Sequence, residues 1–379
     1  MKDFGLDIWG DNNFIIQNDT VNVNYGSKPS LLSITQEIRE KGYKGPLLLR
    51  FPHLIAKQIT TLFDTFNNAR KEFNYKGSFH AVFPLKVNQF PNFVHTLMDV
   101  SQDYNYGLEA GSKAELIIAM SKTPTGAPIT VNGFKDKEMI SLCFIAAKMG
   151  HNITVTIEGL EELETIIQVN QEFNAEAQTP VSPKIGVRIR LHSSGIGIWA
   201  KSGGYSSKFG LTSTELLEAY GLLKKNDLLD HIWMIHFHIG SQMGNIAPLK
   251  KALREAGNIY AELKMRGADS LAAINIGGGL AVEYSQHAHN QERNYSLKEF
   301  ANDVIYLVQE IAKRKGVAEP DIFTESGRYI AASHSVLVAP VLELFSQEYH
   351  AKGLRLKEVN PPLIQELFDL YTSLKRVNA

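Results

Sequence analysis

The chain has 379 residues, long enough for a large core and for more than one domain. Its 39 Lys and Arg balance 40 Asp and Glu, so no basic excess points to nucleic acid and no polybasic run to a membrane surface. A single cysteine, Cys143, excludes an intrachain disulfide framework and fits a reducing, cytoplasmic setting; the opening MKDFGLDIWGDNN lacks the apolar stretch of a signal peptide, and no apolar run reaches the length of a transmembrane helix.

In chain order, residues 1–45 include NFIIQNDTVNVN, which alternates like a strand pair, and PLLLRF then adds a strand before a helix. From there strand-like and helix-like patterns alternate. SFHAVFPLK precedes QFPNFVHTLMDV, YNYGLEA precedes SKAELIIAMS, and APITVNG precedes KDKEMISLCFIAAKMG, whose Cys143 reads as core packing. NITVTIE precedes GLEELETIIQVNQEF, and KIGVRIRL leads through a Gly/Ser-rich loop to STELLEAYGLLKK. IWMIHFHIG precedes PLKKALREAGNIYAELKMRG, AAINIGGG precedes SLKEFANDVIYLVQEIAKRKG, and DIFTESGRY closes the series. Beyond YIAASHSVLVAPVLELF the chain turns charged and helical in PPLIQELFDLYTSLKRV.

Alternation of this kind permits either an α/β barrel or an open doubly wound sheet. The barrel is favoured by what ends the strands. Lys86, Glu109, Asn132, Glu158, Arg190, His238, Asn275 and Glu325 are residues that an apolar core does not want, and a closed (β/α)8 TIM barrel gathers all such ends at one mouth. The predicted division is 1–45 for the N-terminal β segments, 46–335 for the barrel with its leading strand and helix, and 336–379 for a C-terminal strand and the start of a helical insertion.

Four of these ends carry chemistry. In HAVFPLKVNQ a covered strand stops at Lys86, which either snorkels to water or reacts. INIGGGL sets Gly277, Gly278 and Gly279 directly after a strand, where several backbone N–H groups suit a single phosphate; the dinucleotide spacing GxGxxG is absent. FTESGRY supplies Glu325 and Arg328, a carboxylate for a protonated ring nitrogen and a guanidinium for two directed hydrogen bonds to phosphate, or else a structural ion pair. MIHFHIGSQ brings His236 and His238 to a strand end, followed by Ser241. A metal pair there lacks a third ligand at zinc-like spacing; a flat imidazole stacked on a flat cofactor fits His238 better, with His236 a core histidine. Lysine, phosphate cradle, carboxylate and flat ring together describe a pyridoxal 5'-phosphate site. The lysine there forms a Schiff base and needs a lowered pKa from a partly desolvated, cationic setting.

On these motifs the sequence resembles the alanine racemase/ornithine decarboxylase fold type of pyridoxal phosphate enzymes, and more closely the biosynthetic arginine decarboxylases. The resemblance runs in order through IWGDNNFIIQNDTVNV, FPLKVNQ, YGLEAGSKAEL, TVNGFKDKEMI, HFHIGSQ, INIGGGLAVEY and TESGRYIAASHSVLV. It implies decarboxylation of L-arginine to agmatine and carbon dioxide, feeding polyamine synthesis. By position, Lys86 resembles the Schiff-base lysine, His238 the stacked histidine and Ser241 a phosphate-side hydroxyl. Gly277, Gly278 and Gly279 match the phosphate loop, Glu325 the ring-nitrogen partner and Arg328 a phosphate-holding turn, while Arg188 in GVRIR matches an arginine near the ring face. Magnesium often accompanies activity in the family, and no ligand set for it is evident here.

The family continues past this length with a helical insertion, a β-sandwich domain and a cysteine-plus-acid motif that completes the site across a dimer interface. The N-terminal β segments are therefore expected to belong to a largely absent β-sandwich, and the chain is expected to bind the cofactor yet decarboxylate poorly or not at all. A homodimer or higher homo-oligomer is implied for the full-length form. The alternatives are a decarboxylase for ornithine, diaminopimelate or carboxynorspermidine, a non-catalytic pyridoxal phosphate-binding module, and a sugar-phosphate barrel with no cofactor.

Overall fold

The computed structural model describes residues 5–191, 209–283, 293–343 and 361–377. The Gly/Ser-rich loop expected after KIGVRIRL lies outside the described residues. The chain divides into two compact units, one ending at Val338 and the other covering the remainder.

The first unit opens with α1 (Leu6–Trp9) and the strand pair expected from NFIIQNDTVNVN, β1 (Phe14–Gln17) and β2 (Thr20–Val23). Asn18 and Asp19 both take positive φ, of 51° and 54°, which matches the right-handed twist of a two-residue hairpin and is best tolerated by those two residue types. After α2 (Leu31–Glu40), β3 (Leu47–Arg50) leads into α3 (Pro52–Glu72), where Pro52 occupies a position whose N–H has no helical partner.

Eight strands then close into a parallel barrel. They are β4 (Phe79–Pro84), β5 (Gly107–Ala110), β6 (Pro128–Val131), β7 (Asn152–Ile157), β8 (Lys184–Arg188), β9 (Ile232–His236), β10 (Ala273–Asn275) and β11 (Asp321–Thr324). They pair in chain order, and β11 returns to β4 through Ile322 opposite Phe79, which excludes the open sheet. The strands read as unbroken apolar runs because helices cover them outside and side chains fill them inside; every residue of β5 and β6 is buried. The covering helices are α4 (Pro91–Val100), α5 (Lys113–Lys122), α6 (Lys137–Lys148), α7 (Leu160–Asn174), α8 (Ser213–Lys225), α9 (Ala247–Met265) and α10 (Leu297–Lys315).

Their starts are fixed locally. Ser112 and Asp136 accept from the amides of Glu115 and Met139, and Thr212–Glu215 and Ser296–Glu299 form reciprocal capping boxes. Cys143 is wholly buried on α6, as its apolar surroundings in the sequence imply. A short α11 (Gly327–Ala331) follows β11, and β12 (Ser335–Val338) pairs antiparallel with β3. In the second unit, α12 (Pro362–Val377) is the helix read in PPLIQELFDLYTSLKRV. Among the described residues no helix is long and apolar enough to cross a membrane.

The eight polar strand ends fall at one end of the barrel. Glu109 and Asn275 lie in the last two residues of their strands, Asn132, Glu158 and Glu325 one residue beyond, and Lys86, Arg190 and His238 two beyond.

Candidate active site

Lys86 is delivered by a change of backbone geometry. β4 ends at Pro84, and a single 3-10 turn, Leu85–Val87, follows. Leu85 is fully buried and anchors that turn, while the Lys86 side chain is 59% exposed and runs into a cavity of about 620 Å³. His238, Ser241, Gly278, Gly279, Glu325 and Arg328 line the same cavity. Residues that follow β4, β9, β10 and β11 therefore meet around one space, although up to 242 positions separate them in sequence (328 − 86).

The triple-glycine turn is there because backbone passes backbone. A Cβ on Gly278 would lie 2.6 Å from the carbonyl oxygen of Glu325, and one on Gly279, at φ 112°, 2.5 Å from that of Gly240. The turn thus sits wedged between the loops that follow β9 and β11, with Glu325 N–H donating to Gly277 O at 2.9 Å. Gly277 N–H donates to Asn275 Oδ1, whereas no described residue accepts from the amides of Gly278 and Gly279. Arg328 Nη2 donates to Ser241 Oγ at 3.4 Å across the same side of the cavity.

The His238 ring packs on this backbone, with its Cδ2 3.0 Å from where a Gly277 Cβ would stand. Its Nδ1 accepts from Gly240 N–H at 2.9 Å, which leaves Nε2 to carry the hydrogen of the neutral ring. Burial, outweighing the pull of Glu325, lowers its pKa to about 4.

A carboxylate network forms the floor. Lys86 Nζ donates to Glu109 Oε2 at 3.0 Å and Oε1 at 3.2 Å. Glu325 Oε1 accepts from Asn132 Nδ2 at 2.8 Å and from Asn275 Nδ2 at 2.9 Å. His236 Nε2 stands 3.4 Å from that oxygen. Glu109 and Glu325 are both buried, 1% and 5% exposed, and two like charges so placed cannot both be held at low cost. Burial and the charge of Glu325 push Glu109 up to about 7. Burial also opposes the charge on Glu325, but His236 and Lys86 outweigh it and hold this carboxyl well below the usual range.

The cationic setting expected for Lys86 is overturned here. Burial would lower the amine, but Glu109 and Glu325 outweigh it and hold Lys86 above the ordinary lysine range. The physical reason is strand order: β5 neighbours β4, and the register sets Glu109 opposite Pro84, two residues before the lysine. Arg188 stands at the end of β8, where Nη1 donates to Glu158 Oε1 at 3.0 Å and the guanidinium lies 5.0 Å from the Phe209 ring centre; it does not line the cavity. Sequence reasoning treated Glu109, Asn132 and Asn275 only as polar strand ends and gave them no part in the site. His236, read as a core histidine, is buried and also faces Glu325.

A second cavity of about 600 Å³ lies beside α3 and the N-terminal segment and shares Tyr329, Ala332 and Ser335 with the first, but it holds neither the lysine nor the glycine turn.

A closed parallel barrel whose C-terminal mouth joins a lysine amine, a glycine turn and a buried carboxylate defines a cofactor-binding barrel built for a phosphorylated, flat, carbonyl-bearing group. The chain belongs to the pyridoxal-dependent decarboxylases: the family described as "Pyridoxal-dependent decarboxylase, pyridoxal binding domain" matches residues 59–332. It is similar to the biosynthetic arginine decarboxylase of Citrifermentans bemidjiense, at 39% identity over 99% of this chain and 60% of that protein. The biosynthetic arginine decarboxylase of Deinococcus radiodurans is also 39% identical, over 93% of this chain and 53% of that one. The crystal structure of the biosynthetic arginine decarboxylase from Campylobacter jejuni is 60% identical, with a TM-score of 0.86 over 98% of this chain and 61% of that one. The chain thus spans about 60% of the length of the first of these curated relatives.

Proposed function

We propose that this chain carries the pyridoxal phosphate site of an enzyme that decarboxylates L-arginine to agmatine and carbon dioxide in polyamine synthesis. The observation that carries the proposal is the convergence of the Lys86 amine, Gly278 and Gly279 of the glycine turn, and Glu325 on one cavity. The residues present fit the cofactor. Backbone amides at Gly278 and Gly279, the Ser241 hydroxyl and the Arg328 guanidinium suit its phosphate, and the His238 ring offers a flat face. Glu325 suits a protonated ring nitrogen, since two side-chain amides already favour its ionised form. When bound, pyridoxal phosphate supplies an electron sink for the pair left behind as carbon dioxide departs.

The chain's own groups have defined tasks. Lys86 Nζ is the amine that would hold the cofactor's carbonyl carbon, and Glu109, which accepts from it through both oxygens, orients that amine and holds its proton until it is shed. Glu325 keeps its charge at the cavity floor, and neutral His238 would offer the ring a flat face without adding a second cation. Arg188, held on Glu158, adds positive potential near His238. L-arginine as the substrate rests on the names of the relatives together with the ordered motif series that resembles the biosynthetic arginine decarboxylases, and a homodimer or higher homo-oligomer is the proposed assembly. The cytoplasm is the proposed location, on the strength of the lone, buried Cys143.

The test is the visible spectrum of the chain with pyridoxal phosphate. We expect a band near the visible edge that borohydride removes and that Lys86→Ala lacks. Arginine should perturb this band more than ornithine, diaminopimelate or carboxynorspermidine does. A band that survives Lys86→Ala would refute the linkage, and a stronger response to another amino acid would move the substrate.

A further inference from the structure

Among the described residues, Asn132 Nδ2 is the one side-chain group that hydrogen-bonds both floor carboxylates, at 3.2 Å from Glu109 Oε1 and 2.8 Å from Glu325 Oε1. A primary amide has two hydrogens, and here each goes to a different carboxylate. The other end of the same amide has no such reward: Asn132 Oδ1 is buried and has no hydrogen-bond partner among the described residues. Reversing the amide would point that oxygen at two carboxylates, so the two acceptors alone set its orientation. A buried acceptor left unmet is tolerated where the opposite end of the group is needed.

We propose that Asn132 is a positioning residue for Lys86: its amide fixes Glu109 against the lysine, braced on Glu325, and so sets the pH at which the Lys86 amine becomes free to react. The proposal rests on Lys86 being the cofactor lysine. Several groups face the pair. Glu109 itself comes from β5, Glu115 from α5, Glu325 from just beyond β11 and His238 from just beyond β9, while His236 at the end of β9 faces Glu325. Of these, Glu109 alone bonds the Lys86 amine, with both oxygens. Losing the Asn132 donor removes the brace between Glu109 and Glu325, so the Glu109 carboxylate turns away from Lys86 and the ammonium loses part of its counter-charge. The direction is therefore fixed: without Asn132 the amine sheds its proton at lower pH.

The test is competitive trace labelling of the whole 379-residue chain with acetic anhydride across pH, reading Lys86 by peptide mass spectrometry. Asn132→Leu should lower the midpoint pH of Lys86 labelling, and labelling at pH 8 should rise roughly tenfold for each pH unit by which that midpoint falls. The same substitution in a Glu109→Gln background should move the midpoint little further, because the residue through which Asn132 acts is already neutral. Should Asn132→Leu fail to fold by circular dichroism, Asn132→Ser, which keeps one donor, reads the same profile with a smaller change in the same direction. An unchanged midpoint, or an equal change in both backgrounds, overturns the proposal. Labelling needs no cofactor, so a wild-type chain that gives the expected profiles but no borohydride-sensitive band with pyridoxal phosphate would sink the cofactor reading separately.

Discussion

Gly278→Ala isolates the wedge that shapes the phosphate side of the cavity. The glycine has no positive φ, so the penalty is contact alone. The new Cβ would sit 2.6 Å from Glu325 O and 3.6 Å from His238 Nε2. Ordinary van der Waals separation is roughly 3.5 Å, so the turn and the Glu325 loop must part by about 0.9 Å along that line. Neither side yields easily. The near atom is backbone, and the same loop is tied to the turn by the 2.9 Å bond from Glu325 N to Gly277 O. Overpacking of this kind costs about 1–3 kcal/mol. If the relaxed turn carries its amides away from the phosphate position, that strain converts to a loss of roughly 5- to 150-fold in cofactor affinity. The assay is titration of pyridoxal phosphate into wild type and Gly278→Ala, followed by the visible band, with urea unfolding of both proteins alongside. Unchanged affinity together with unchanged stability would refute the wedge, because it would mean that the loops move apart freely.

Two further outcomes follow from the same geometry. His238 has a folded pKa of about 4 against an ordinary value near 6.5, so the unfolded chain binds more protons between those values; its contribution is present above pH 6.5 and lost as pH falls to 4. Urea midpoints measured from pH 7.5 to 4.5 should therefore fall less steeply for His238→Asn than for wild type, and parallel slopes would contradict the assignment. Lys135, whose side chain is 0% exposed, pairs with Glu162 Oε2 at 3.2 Å and also donates to Gly133 O. Glu162 in turn accepts from the amides of Lys135 and Glu158, so Lys135→Met should cost about 3–5 kcal/mol by stranding a buried carboxylate, read as a lower urea midpoint at unchanged slope.

The barrel was legible because covered parallel strands advertise themselves. ITV in β6 and FHAVFP in β4 leave little room for a helical period, and each run stops at a residue that needs water or a partner. Lys86, Glu325 and the glycine turn could be singled out one at a time, since each is an unusual residue at a strand end. Their mutual relations could not. Asn132 and Glu325 are 193 positions apart and meet only because β11 closes on β4, a pairing that no local pattern encodes. The charge around Lys86 was misjudged for the same reason. Its chemistry was inferred from what the lysine needs, whereas its neighbours are set by register, and register places Glu109 beside it. A partial signal was present all the same. Once consecutive strands are taken as neighbours, GLEA is the run beside FHAVFP, and its single charged residue is the only one on that strand that can meet the lysine. Adjacent strands of a parallel barrel thus disclose near partners from chain order alone, while partners joined across the closing seam need the fold.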